Sequence, residues 1–134
     1  MKDLHLTPSH NTPEILLSTS RNLFVIEGKS APEDVRSLYY PVIDWIRSLT
    51  QEIISNNPYT TENPLIFKIN LSYFNSSSAK FLFDIFIHLK EIKDHNVPVL
   101  VEWYYEDEDT DMLEAGEDLA STTGNKFVFI SKPS

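Results

Sequence analysis

Apolar and polar residues alternate from Leu65 to Tyr73: Leu65, Phe67, Ile69 and Leu71 are separated by Ile66, Lys68, Asn70 and Ser72. A period of two predicts a strand. Beyond it the period becomes helical, with Leu82, Ile85, Phe86, Leu89 and Ile92 on one face of a segment from Phe81 to Ile92. Phe81, Phe83 and Ile87 widen that face, which predicts a helix covered on two sides. Between strand and helix stands Asn75-Ser76-Ser77-Ser78, an amide followed by three hydroxyls. Such a corner leaves backbone N–H groups without intrahelical partners and carries the positive end of a helix dipole.

The same signals divide the rest of the chain. Residues 1–13 read as a flexible arm, with Pro8 and Pro13 opposing regular structure. Glu14–Thr19 and Asn22–Glu27 form a predicted hairpin across Ser20-Arg21, ended by Gly28. Ser30-Ala31-Pro32-Glu33 has the form of a helix start, with Ser30 as cap and Glu33 reaching back. Pro41 lacks an N–H, so a short turn followed by a helix from Pro41 to Ser55 is expected. Val42, Trp45, Ile46, Leu49 and Ile53 give that helix its apolar stripe. Val97–Tyr104 is nearly continuously apolar, as a buried parallel strand is. A helix from Met112 to Thr122 follows, with Asp111 and Glu114 as a capping box and Gly124 as its stop. Lys126–Ser131 is the last strand. The order β-β-α-β-α-β-α-β predicts an α/β fold, a single layered domain over residues 14–134 with a mixed, mostly parallel sheet.

Composition narrows the function. A chain of 134 residues with 41% hydrophobic content can fold without staples. There is no cysteine, which excludes disulfides and thiolate metal sites and suits a cytoplasmic protein. The polar start contains no signal-peptide core, and no apolar run approaches the ~20 residues that span a bilayer. The net charge of −9 is concentrated. Nine acidic residues and no Lys or Arg lie between Glu102 and Asp118. No basic stripe is present, so neither nucleic acid nor an anionic membrane is the expected partner.

Two segments carry candidate chemistry. At the serine corner, Asn75 or Ser76 serves as an N-cap on the plainest reading. One cap would suffice, however, and three hydroxyls follow Asn75 beside Tyr73-Phe74. A phosphoryl group there would add roughly −1.5 to −2 charge and three acceptor oxygens. The second segment is acidic, Glu106-Asp107-Glu108-Asp109-Thr110-Asp111. It reads as a solvated loop, as a cation loop using Asp107, Asp109 and Asp111, or as a partner-facing patch with Trp103, Tyr104 and Tyr105 beside it. A calcium loop needs a sharp-turn glycine where Met112 stands and a last ligand Glu where Asp118 stands. Concentrated charge beside aromatics favours the patch. Catalysis is the weaker hypothesis. There is no G-x-S-x-G elbow, His5, His10, His88 and His95 are scattered, and three glycines supply no phosphate-cradling loop. No cofactor and no metal are expected.

Gly28-Lys29-Ser30-Ala31-Pro32-Glu33, Tyr40-Pro41, Trp45, Tyr73 to Lys80, Val101 to Glu106 and Asp111 to Glu117 occur in that order. In this the chain resembles the SiaC family of bacterial regulatory phosphoproteins over nearly everything after Pro13. The resemblance implies a fold similar to STAS domains, the anti-sigma-factor-antagonist class, and a non-enzymatic partner switch. It implies a serine/threonine kinase that phosphorylates a hydroxyl and a phosphatase that reverses this. It further implies a diguanylate cyclase, or another effector, bound by the unphosphorylated form to promote cyclic di-GMP synthesis and biofilm. The family's phosphorylated threonine falls at Ser76, with Ser77 the alternative and Asn75 and Ser78 in support.

Overall fold

The computed structural model describes Met1–Ser134. Three strands open the chain: β1 (Leu4–Leu6), β2 (Glu14–Ser18) and β3 (Leu23–Ser30). They are followed by α1 (Val35–Ser55), β4 (Leu65–Phe74), α2 (Ser76–Lys93), β5 (Val99–Glu106), α3 (Thr110–Thr123) and β6 (Phe127–Lys132). The six strands lie in the sheet in chain order. β1, β2 and β3 pair antiparallel, and β3 to β6 pair parallel. Each parallel crossover steps one strand in the same direction, which keeps all three helices on one face of the sheet. Strand alternation agrees. Phe24, Ile26, Phe67, Ile69, Val101 and Trp103 are buried beneath the helices, while Val25, Lys68 and Glu102 on the opposite face stay half-exposed. The mixed α/β sheet is as the sequence pattern predicts.

The departures have local causes. Residues 4–6 are not a loose arm: Leu4 pairs with Leu17 and Leu6 with Ile15, and the Trp45 indole N–H donates to the Lys2 carbonyl at 2.8 Å. Three residues are too few for alternation to announce a strand. Pro41 lies inside a single continuous helix. It is exposed, so the hydrogen bond it omits is on the wet side, while Tyr39, Val42, Ile43, Ile46, Leu49 and Ile53 bury the other side. The cap of α1 is Asp34, which accepts from the Ser37 N–H at 3.2 Å, not Ser30. Ser30 is instead the last residue of β3, which runs on past Gly28. Asp109 caps α3 in place of Asp111, accepting from the Met112 N–H at 3.0 Å. Gly124 ends α3 with φ +71, in the left-handed region that glycine occupies at no steric cost. Phe83 and Ile87 are 38% and 43% exposed, so the outward face of α2 is bare, while Phe81 is buried against Tyr39 of α1 beside the sheet-facing stripe.

One irregularity shapes the site. Gly28 pairs with Leu71, but Lys29 pairs with Tyr73 and Ser30 with Phe74. Ser72 is thus an extra residue in β4, and its hydroxyl donates to the Gly28 carbonyl at 3.2 Å. A bulge reverses which residues face which side. Tyr73 is turned out, 51% exposed, and Phe74 is turned in, its ring edge-on to Trp103 with centroids 6.1 Å apart.

Candidate phosphoacceptor and docking site

The serine corner forms because β4 stops at Phe74 and Asn75 caps α2. The Asn75 Oδ1 accepts from the Ser78 N–H at 2.9 Å and from the Ser77 hydroxyl at 3.1 Å. The structure separates the three serines. Ser78 is fully buried, and its Oγ lies 2.8 Å from the Ser30 Oγ and 3.0 Å from the Ser30 carbonyl. It is sealed from any modifying enzyme and could support the corner only from beneath. Ser77 is exposed, but its hydroxyl is engaged by Asn75. Ser76 is exposed and does no capping. Helical spacing places Ser76, Lys80, Phe83 and Ile87 in one outward line along α2.

The segment Trp103 to Asp111 does not form one surface. Trp103 is fully buried and its indole N–H donates to the Met112 carbonyl at 3.0 Å, so the expectation that it faces a partner is corrected. Period-two alternation splits its neighbours. Tyr104 lies on the helix-free face, where its hydroxyl donates to a Glu102 carboxylate oxygen at 3.1 Å. Burial first, and then Glu102, push that phenol above its ordinary pKa. Tyr105 packs against the core edge. Glu106 is exposed at the end of β5.

The acids beyond take separate partners instead of converging. Asp107 accepts from the Ser134 hydroxyl at 2.6 Å, Asp109 is the helix cap, and Asp111 is exposed in the first turn of α3. No three carboxylate or imidazole groups are placed to hold a metal ion together.

What the fold does bring together is the end of β4 and the start of α3. A cavity of about 330 Å³ lies between them, with Tyr73 and Phe74 on one wall and Asp109, Asp111 and Met112 on the other. The acidic cluster therefore borders the aromatic pair that immediately precedes the serine corner. Sequence reasoning did not single out Phe83 and Ile87 as exposed, nor Ser30 and Tyr39 as neighbours of Ser78. The first pair was hidden because both positions also fit a buried stripe.

Comparison with known proteins bears on this geometry. The family model described as SiaC family regulatory phosphoprotein matches residues 6–132. An uncharacterized protein of Pseudomonas aeruginosa strain UCBPP-PA14 is 29% identical over 118 residues, covering 88% of this chain and 87% of its own length. The crystal structure of apo-SiaC from Pseudomonas aeruginosa is 27% identical, with a TM-score of 0.80 and coverage of 97% of this chain and 99% of that one. SiaC in the crystal structure of the diguanylate cyclase SiaD with its activator SiaC, from the same organism, superposes with a TM-score of 0.81 at 26% identity, covering 97% and 100%. No helix here is long and apolar enough to cross a membrane. With the family model spanning all but the two ends, the chain belongs to the SiaC family of regulatory phosphoproteins.

Proposed function

We propose that this chain is a non-enzymatic, cytoplasmic partner switch that binds and activates a diguanylate cyclase when unphosphorylated, and that Ser76 accepts the controlling phosphoryl group. The observation that carries the reading is the division of labour at the corner. Asn75 does the capping, Ser78 is sealed, and Ser76 presents an unengaged hydroxyl to solvent. Family membership supports a regulatory role, and the SiaC relative crystallised with the cyclase it activates supports the class of partner.

The physics fits a switch. A phosphoryl group on Ser76 would lie at the positive end of the α2 dipole, so the fold would tolerate it. The same group would place negative charge at the head of the exposed line of Phe83 and Ile87. A partner docking on that surface would have to desolvate the charge, and any acidic group it brought would be repelled. Ser77 is the second choice, since its hydroxyl would first have to leave Asn75.

The test compares Ser76→Asp and Ser76→Ala with the native chain for binding to the cyclase encoded in the same genome, with phosphosite mapping of protein from its native host. Ser76→Asp should lose on the order of 1–3 kcal/mol of affinity, while Ser76→Ala stays close to native. Equal affinity for all three forms, or phosphate found only outside Ser76 and Ser77, would sink the proposal.

A further inference from the structure

We infer that a buried chain of three hydroxyls, Tyr39–Ser30–Ser78, positions the phosphoacceptor turn, with Tyr39 and Ser78 as positioning residues for Ser76. The inference rests on the reading of Ser76 as acceptor. The Tyr39 hydroxyl of α1 lies 2.6 Å from the Ser30 Oγ at the end of β3, and the Ser30 Oγ lies 2.8 Å from the Ser78 Oγ in the first turn of α2. The Ser78 Oγ lies 3.0 Å from the Ser30 carbonyl. All three residues are fully buried.

One arrangement of the three protons gives each a partner along these contacts. Ser78 donates to the Ser30 carbonyl, Ser30 donates to Ser78, and Tyr39 donates to Ser30. The Ser30 carbonyl also accepts the Asn75 N–H at 3.0 Å. One residue of β3 therefore grips the corner at both Asn75 and Ser78, and α1 fixes that residue through Tyr39. Ser76 and Ser77 are left between the two grips, facing water.

Stability alone does not ask for this chain. Alanine at both serine positions and phenylalanine at Tyr39 would fill nearly the same space without polar groups, an exchange that is often close to neutral. Hydroxyls supply direction instead. Asn75 is a cap that a phosphoryl group on Ser76 could displace, because the added oxygens compete for the Ser78 N–H that Asn75 now holds. The buried chain is out of that competition. Ser78 stays anchored through its side chain when its N–H changes partner, so the start of α2 keeps its place while the surface charge changes. The same anchoring presents the unmodified Ser76 hydroxyl in one orientation.

The test uses the full chain as wild type, Tyr39→Phe and Ser78→Ala, each also carrying Ser76→Asp. Amide exchange is followed at Asn75, Ser78 and Ala79, with Leu82 to Leu89 as internal reference. Both hydroxyl-removing variants should exchange at least about tenfold faster at the corner, with the reference amides unchanged and the effect larger in the Ser76→Asp background. In parallel, phosphate incorporation at Ser76 from ATP is timed in an extract of the native host. It should slow by about tenfold through the maximal rate, with the concentration for half-maximal rate little changed. Unaltered corner exchange, or acceleration spread evenly along α2, would overturn the inference. An extract that never phosphorylates wild-type Ser76 removes the acceptor reading instead, and the exchange measurement still decides whether the hydroxyls hold the turn.

Discussion

Gly116 lies flat against the indole of Trp103: a Cβ on this glycine would stand 2.5 Å from Nε1 and 2.7 Å from Cδ1. The indole is fully buried, stacks on Phe127 with centroids 5.7 Å apart, and is tied by its N–H to the Met112 carbonyl. It has nowhere to retreat. The pair sets how closely α3 approaches the sheet, and through Met112 it places the acidic start of that helix beside Tyr73.

Gly116→Ala is therefore expected to destabilise the protein. Alanine gains up to about 1 kcal/mol of helix propensity, but overpacking a rigid core site costs typically about 1–3 kcal/mol. Here the ring cannot yield, so the clash wins. A lower urea midpoint and altered tryptophan fluorescence would verify this, and a stabilised variant would contradict it.

Burial pushes the Tyr39 phenol up to about 12 from an ordinary 10.0, with the Ser30 hydroxyl and the nearby Ser78 hydroxyl pulling the other way. The folded chain thus holds a proton that the unfolded chain releases. Tyr39's contribution is complete below about pH 10 and is lost as pH rises towards about 12. It is worth about 2–3 kcal/mol at most. Denaturant midpoints at pH 9 and pH 11.5 should fall further for wild type than for Tyr39→Phe. Parallel declines would dismiss the phenol as the cause.

Deleting Ser72 would remove the bulge in β4 and restore strict alternation. Leu71 inward, Tyr73 outward and Phe74 inward is then a plain alternation, with Lys29 still opposite Tyr73 and Ser30 still opposite Phe74, so Phe74 keeps its contact with Trp103. What is lost is the Ser72 hydroxyl bond to the Gly28 carbonyl, and the deletion is expected to cost only about 1 kcal/mol. Thermal melting of the deletion variant measures it, and a collapse of the melting temperature would show that the end of β4 needs the extra residue.

Periodicity disclosed the sheet, the three helices and the serine corner, because Leu65 to Leu71 and Leu82 to Ile92 bury one face and repeat cleanly. It failed where a residue's partner is distant in sequence. Ser30 looks like a cap in its own neighbourhood, yet it faces Ser78, forty-eight positions away. Trp103 looks like an interface aromatic beside acids, yet the gap left by Gly116 takes its indole into the core. Pro41 looks like a helix break, yet the buried side of α1 outweighs one missing hydrogen bond. The exposure that separates Ser76 from Ser78 was equally invisible, since the same residue type occupies both positions and only helix phase distinguishes them.

Because the strands stand across the sheet in their order along the chain, each newly synthesised strand meets the edge left by the one before it. Assembly on the ribosome can advance from the first hairpin outward, one crossover at a time, with no gap held open for a later arrival. The last unit of the sheet to be laid down is β5–α3–β6, so the acidic border of the proposed docking surface is completed only after β1 to β4 are in place.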